Sequence, residues 1–193
     1  MNRFADLLDR LAYEPGRNNK LRLIAEYLRS KPDPERGFAL AALTGALSFQ
    51  HAKPGMIRAL IAERTDPVLF ELSYDYVGDL SETVALMWPS PPGGLRPPPS
   101  PSGGVISTPS LSEVIVTLST LGKAQLPAQL ARWLDALDEP GRWALLKLVT
   151  GGLRIGVSSR LAKTAAASLG GKEPNEVEIL WPGLAPPYTG LFA

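Results

Sequence analysis

The sequence predicts an all-α protein of about ten short helices, and three observations predict it. Apolar residues recur at three- and four-residue spacing along most of the chain, the pattern that buries one face of a helix. Pro, Gly and Asp interrupt these stripes after each short run. Strand signals are confined to residues 153–157. With 193 residues, 45% of them apolar, the chain can bury a real core.

The elements follow in order. Phe4, Leu7, Leu8 and Leu11 form the first stripe. Leu21, Ile24, Ala25 and Leu28 form the second, with Asn18 or Asn19 as the expected N-cap. Residues 38–47, 56–61, 67–76 and 80–87 continue the series. Residues 88–104 are then almost entirely Pro, Gly and Ser, so a Pro/Gly-rich loop is expected over 88–109, inserted in one helical domain rather than dividing two. Helical spacing resumes over 110–121, where Ser112 and Glu113 read as the start, and over 127–137, where proline suits the first turn. The link 119–125 between them carries Lys123. Residues 139–152 form a helix closed by glycine, a serine at 158 or 159 opens the next, and 174–180 is the last short helix.

Composition narrows the function classes. The chain has no cysteine and a single histidine, His51, so no thiolate metal site and no zinc or catalytic histidine pair can be drawn. Asp6, Asp9, Glu14 and the other carboxylates fall in no motif that pairs two of them, and no catalytic residue or metal site is expected. MNRFADLLDRLAYE has no apolar signal core, and no apolar run reaches the roughly 18 residues of a membrane span. A cytoplasmic monomer without membrane contact is the expectation.

Net charge is only +1, but it is unevenly spread. Arg142, Lys147, Arg154, Arg160, Lys163 and Lys172 lie between residues 141 and 172 without one acid. Residues 17–31 carry five cations against Glu26, while 63–82 is mostly acidic. The basic runs suit either a face that meets a polyanion or ordinary solvated helix surfaces.

The segment TGGLRIGVSSRLAKTAAA, residues 150–167, concentrates the candidate chemistry. Gly151, Gly156 and Ser158 satisfy part of a P-loop, but Val157 stands where its lysine belongs and a helix precedes it where a strand is required. Nucleotide binding of that kind is excluded. What remains suits a nucleic-acid backbone. Gly151, Gly152 and Gly156 permit close approach of the main chain, and the helix opened by Ser158 and Ser159 presents free N–H groups. Arg154 can reach a phosphate or a minor groove, with Arg160 and Lys163 on the helix behind. The same residues also describe an ordinary helix stop, turn and start. Trp88, Trp133, Trp143 and Trp181 could stack on bases, although Trp133 and Trp143 fall on core stripes.

LLKLVTGGLRIGVSSRLAKTAAA, residues 145–167, resembles the signature of the N-terminal DNA-binding domain of ATP-dependent DNA ligases, in which a helix runs into a G-x-L-R-[IL]-G turn and a second helix. FADLLDRLAYEPGRNNKLRLIAEYLR and LSTLGKAQLPAQLARWLDAL stand before it in the order of that domain, so the resemblance covers essentially all of residues 1–193. It is closest to the bacterial ligases of the DNA damage response. The resemblance implies a pseudo-symmetric helical bundle that grips nicked double-stranded DNA through the minor groove and backbone, in repair, replication or recombination on the nucleoid. It implies that Gly151, Gly152, Arg154, Gly156 and Ser158 line the grip, with Lys123 at the equivalent turn of the other half, and Asn19 and Lys20 as further backbone contacts. The family attaches AMP to the lysine of K-x-D-G, using ATP and a divalent metal such as Mg. That motif does not occur here, the nearest string being Lys31-Pro32-Asp33-Pro34. The partner implied is therefore a ligase catalytic domain, with nucleotidyltransferase and OB domains outside this sequence. The alternative expectation is a helical protein-interaction scaffold without DNA affinity, marked by exposed apolar surface away from the glycine turn.

Overall fold

Helical periodicity becomes packing in the computed structural model, which describes residues 1–89 and 108–192. Eleven α-helices and no strand occur among the described residues: α1 (Asn2–Tyr13), α2 (Arg17–Ser30), α3 (Glu35–Leu43), α4 (Pro54–Ala62), α5 (Pro67–Val77), α6 (Leu80–Met87), α7 (Leu111–Thr120), α8 (Leu126–Ala136), α9 (Glu139–Thr150), α10 (Ser159–Leu169) and α11 (Pro174–Leu180). Two 3₁₀ turns, Trp181–Gly183 and Thr189–Leu191, follow. The protein is all-α, as its periodicity predicts. None of these helices is long and apolar enough to cross a membrane.

Phe4, Leu8 and Leu11 of α1, Ile24 and Leu28 of α2, Leu40 of α3 and Ile57 and Ile61 of α4 are fully buried. They join Leu111, Ile115 and Leu118 of α7 and Leu145 and Leu146 of α9 in one contiguous core. Each such side chain contributes about 1.5–3 kcal/mol through burial, so truncation at Leu8 strikes the centre of the fold. α1 packs on α2 and α9, α2 on α3 and α10, α6 on α5 and α9, and α10 on α11. The helix α9 therefore joins the first helix of the chain to α6 in its middle.

Local chemistry fixes the ends. Asp66, Asp79, Ser110, Asp138 and Ser158 accept N–H groups of the first turns of α5, α6, α7, α9 and α10. Glu35 of α3 also reaches α7, accepting the N–H groups of Leu111 and Ser112 at 2.9 Å each. Burial pushes its carboxyl up, but these donors hold it below the usual carboxylate value.

Four expectations change. Helix α2 starts at Arg17 behind Gly16, whose N–H is taken by Glu14 at 2.7 Å, so Asn18 and Asn19 lie inside the first turn instead of capping it. Ser110, not Ser112, opens α7, and its hydroxyl takes the Glu113 N–H. Residues 153–157 are irregular because Gly156 at φ 64° turns the chain out of the extended region. Trp88 does not belong to a solvated loop: it is buried, its indole N–H donates to Asp135 at 2.8 Å, and Arg64 stacks on its ring. The remainder of the expected Pro/Gly-rich loop, 90–107, lies outside the described residues.

Candidate nucleic-acid interface

Helix α9 ends where Thr150 gives way to Gly151 at φ 68°, a left-handed conformation that a Cβ disfavours. The N–H groups of Gly151 and Gly152 both return to the Lys147 carbonyl, closing the helix end. From Gly152 the chain turns tightly, the Arg154 N–H reaching the Gly152 carbonyl at 2.6 Å. Ile155 is buried and pins the turn to the core, while Arg154 on one side and Gly156 on the other stay exposed. Ser158 then caps α10, its hydroxyl accepting the Leu161 N–H at 3.1 Å. Gly151, Arg154, Gly156, Ser158, Ser159 and Arg160 are exposed along this segment, and Gly152 is half-buried. The exposed guanidinium of Arg154 makes no hydrogen bond or ion pair among the described residues, and neither does that of Arg160.

Lys20 has a different place from the expected backbone contact. Only 8% exposed, it lies beneath the turn and donates to the carbonyls of Ile155 and Gly156, both at 3.0 Å. A side chain at Gly156 would meet its ammonium. The ammonium holds the turn from inside because α2 packs on α10, a tertiary relation that no local spacing announces.

The cation run of residues 141–172 also divides. Arg142 is buried, its guanidinium donating to the Leu134 carbonyl at 2.7 Å and to the Trp88 carbonyl at 3.3 Å, and burial lowers its pKa from the usual arginine value. Lys147 pairs with Asp79 at 2.6 Å. Lys163, expected at the interface, pairs with Glu178 at 2.8 Å and lies 4.5 Å from the centre of the Trp181 ring. It clamps α10 to α11 because Glu178, far along the chain, supplies the acid that its own segment lacks. Arg154, Arg160 and Lys172 remain exposed. Lys123 is exposed on the turn between α7 and α8. The tryptophans divide likewise: Trp88 and Trp133 are core residues, and Trp181 is half-buried against Tyr188.

Arg17, the first cation of the basic run 17–31, is exposed one helical turn before Lys20. A second helix end at the turn was not singled out in the sequence. Thr44 and Gly45 end α3 as Thr150 and Gly151 end α9. Gly45 has φ 72°, and the Ala46 N–H returns to the Ala41 carbonyl at 2.9 Å. Both helix ends line one cavity of about 260 Å³, together with Val157 and Ser159. The shared Thr-Gly-x-Leu string was legible at residues 44–47 and 150–153.

No protein-family model matches the chain, and no curated protein matches it.

Proposed function

We propose that the chain is the DNA-binding domain of an ATP-dependent DNA ligase and that it holds nicked double-stranded DNA without reading its sequence. The observation that carries this reading is the unpaired Arg154 on a glycine-flanked turn, with Lys20 beneath it and the start of α10 beside it. A phosphate there would meet main chain without an intervening Cβ, a planar fork of donors, and the positive end of a helix dipole. Contacts of this kind neutralise backbone charge and are indifferent to base identity, as a protein that serves any nick requires.

These residues would position DNA and perform no covalent step. The lysine of K-x-D-G that would carry AMP is not in the sequence, so ATP and Mg are assigned to a separate catalytic domain, as partner. The reading places the protein on the cytoplasmic nucleoid as a monomer, in repair, replication or recombination. Fluorescence anisotropy with labelled nicked duplex tests it. Binding should be measurable at low salt, weaken steeply as salt is added, and fall with Arg154→Ala by a similar factor on duplexes of different sequence. Absence of binding at low salt would overturn the reading.

A further inference from the structure

The acidic stretch 63–82, which the DNA reading leaves without a role, folds into a surface of its own. Helix α5 buries Phe70 and stacks Tyr74 on it, yet turns Leu69, Leu72 and Tyr76 outward along one stripe. Leu72 is 63% exposed, Tyr76 93%, and Leu86 on the neighbouring α6 55%. Between them runs an open groove of about 370 Å³ whose walls are mostly apolar, with Val77 and Met87 in its floor. Surface leucines are ordinary singly, but a stripe from two packed helices around one groove is the signature of an interaction site.

The charge around the groove selects the occupant. Glu71 and Asp75 stand exposed on α5 beside the stripe, and Glu82 lies one turn from Leu86 on α6. The nearby cations are turned onto aromatic rings: Arg58 stacks on Tyr74 and Arg64 on Trp88, each with its guanidinium carbon less than 5 Å from the ring centre. A negative rim repels nucleic acid and anionic lipid headgroups. A second copy docked about a twofold axis would set the same carboxylates against each other. A helical stripe at spacing three and four, flanked by acid, fits instead an amphipathic helix with leucine-sized side chains on one face and Lys or Arg along its edges.

We propose that the α5–α6 groove is a docking site for a basic amphipathic helix of a partner protein, independent of the glycine turn. The probe is a synthetic helix of about 14 residues, roughly four turns, with leucines at spacing three and four and lysines on the flanks. A twin carries glutamate at every lysine. Titrated into the full chain, the lysine peptide should bind and move amide NMR signals of α5 and α6. The twin should bind at least about tenfold more weakly, an electrostatic discrimination of about 1.4 kcal/mol. Leu72→Ser and Leu86→Ser remove exposed side chains, so folding should survive by circular dichroism while affinity falls by about fivefold or more. Glu71→Lys with Asp75→Lys should reverse the preference between the two peptides. Equal binding of the twins, amide shifts confined to the glycine turn, or unchanged affinity in the serine variants would each overturn the proposal. So would dimerisation through the groove seen by sedimentation and abolished by Leu72→Ser. Arg154→Ala should leave peptide binding unchanged, which keeps this test separate from that of DNA binding.

Discussion

Lys20 and Arg154 bring positive charge to the same turn by opposite routes. The Lys20 ammonium is enclosed and bonded to two carbonyls, whereas the Arg154 guanidinium is exposed and free of partners among the described residues. Removing each should therefore be distinguishable in one binding experiment. Arg154→Ala should reduce the slope of log K against log salt by about 1, the signature of one lost phosphate contact, while thermal stability stays unchanged. Lys20→Met leaves the Ile155 and Gly156 carbonyls without their donor and should cost about 1–3 kcal/mol of stability. Its DNA affinity should fall through disorder of the turn, with the salt slope close to that of the unaltered protein. A slope change in Lys20→Met equal to that of Arg154→Ala would make Lys20 a direct contact after all. Gly156→Ala combines two penalties, about 1–2 kcal/mol for the left-handed backbone and the displacement of Lys20, and calorimetry should find it less stable than the unaltered chain.

Helix ends were the legible part of the site, because their chemistry is local. Gly151 as the stop of α9 and Ser158 as the opening of α10 follow from residue type and spacing, and the structure uses both. The partners of the cations were not legible. Glu178 lies 15 residues from Lys163, and Ile155 lies 135 residues from Lys20, so only packing brings them together. Trp88 was misread for the same reason: the residues that follow it are Pro and Ser, but Asp135 and Arg64 reach it from elsewhere. The Asp79–Lys147 pair joins the start of α6 to the last turn of α9, under the glycine surface. Burial pushes the Asp79 carboxyl up, but bonds from Lys147 and from the N–H groups of Glu82 and Ser81 hold it below its ordinary value. A carboxyl with a depressed folded pKa stabilises above the unfolded pKa, about 4, and loses that contribution as pH falls through the folded one. Asp79→Asn retains an N-cap and removes only the charge. The melting-temperature gap between the two proteins should be open near pH 7 and close as pH falls below the unfolded value and through the depressed folded one, and a gap independent of pH would remove the ion pair from the account.

Across the whole molecule, charge is sorted onto surfaces rather than accumulated. The net charge of +1 gives no general attraction to a polyanion, and the acidic α5–α6 surface repels one. DNA affinity must then come from a small number of placed cations. Arg142, Lys147 and Lys163 are committed to internal partners, and Lys20 to the turn above it, which leaves Arg154 and Arg160 beside the glycines, Arg17 one helical turn before Lys20, and Lys172 past the end of α10. Three or four phosphate contacts predict a slope of about −3 to −4 in log K against log salt on double-stranded DNA, well short of a protein that coats its ligand. Exchanging Arg17, Arg154 and Arg160 together for alanine should bring the slope to about −1 or less while the melting temperature holds, since all three are exposed. If the steep slope persists in the triple variant, the grip lies on another face of the bundle, and the exposed Lys123 turn between α7 and α8 becomes the place to search.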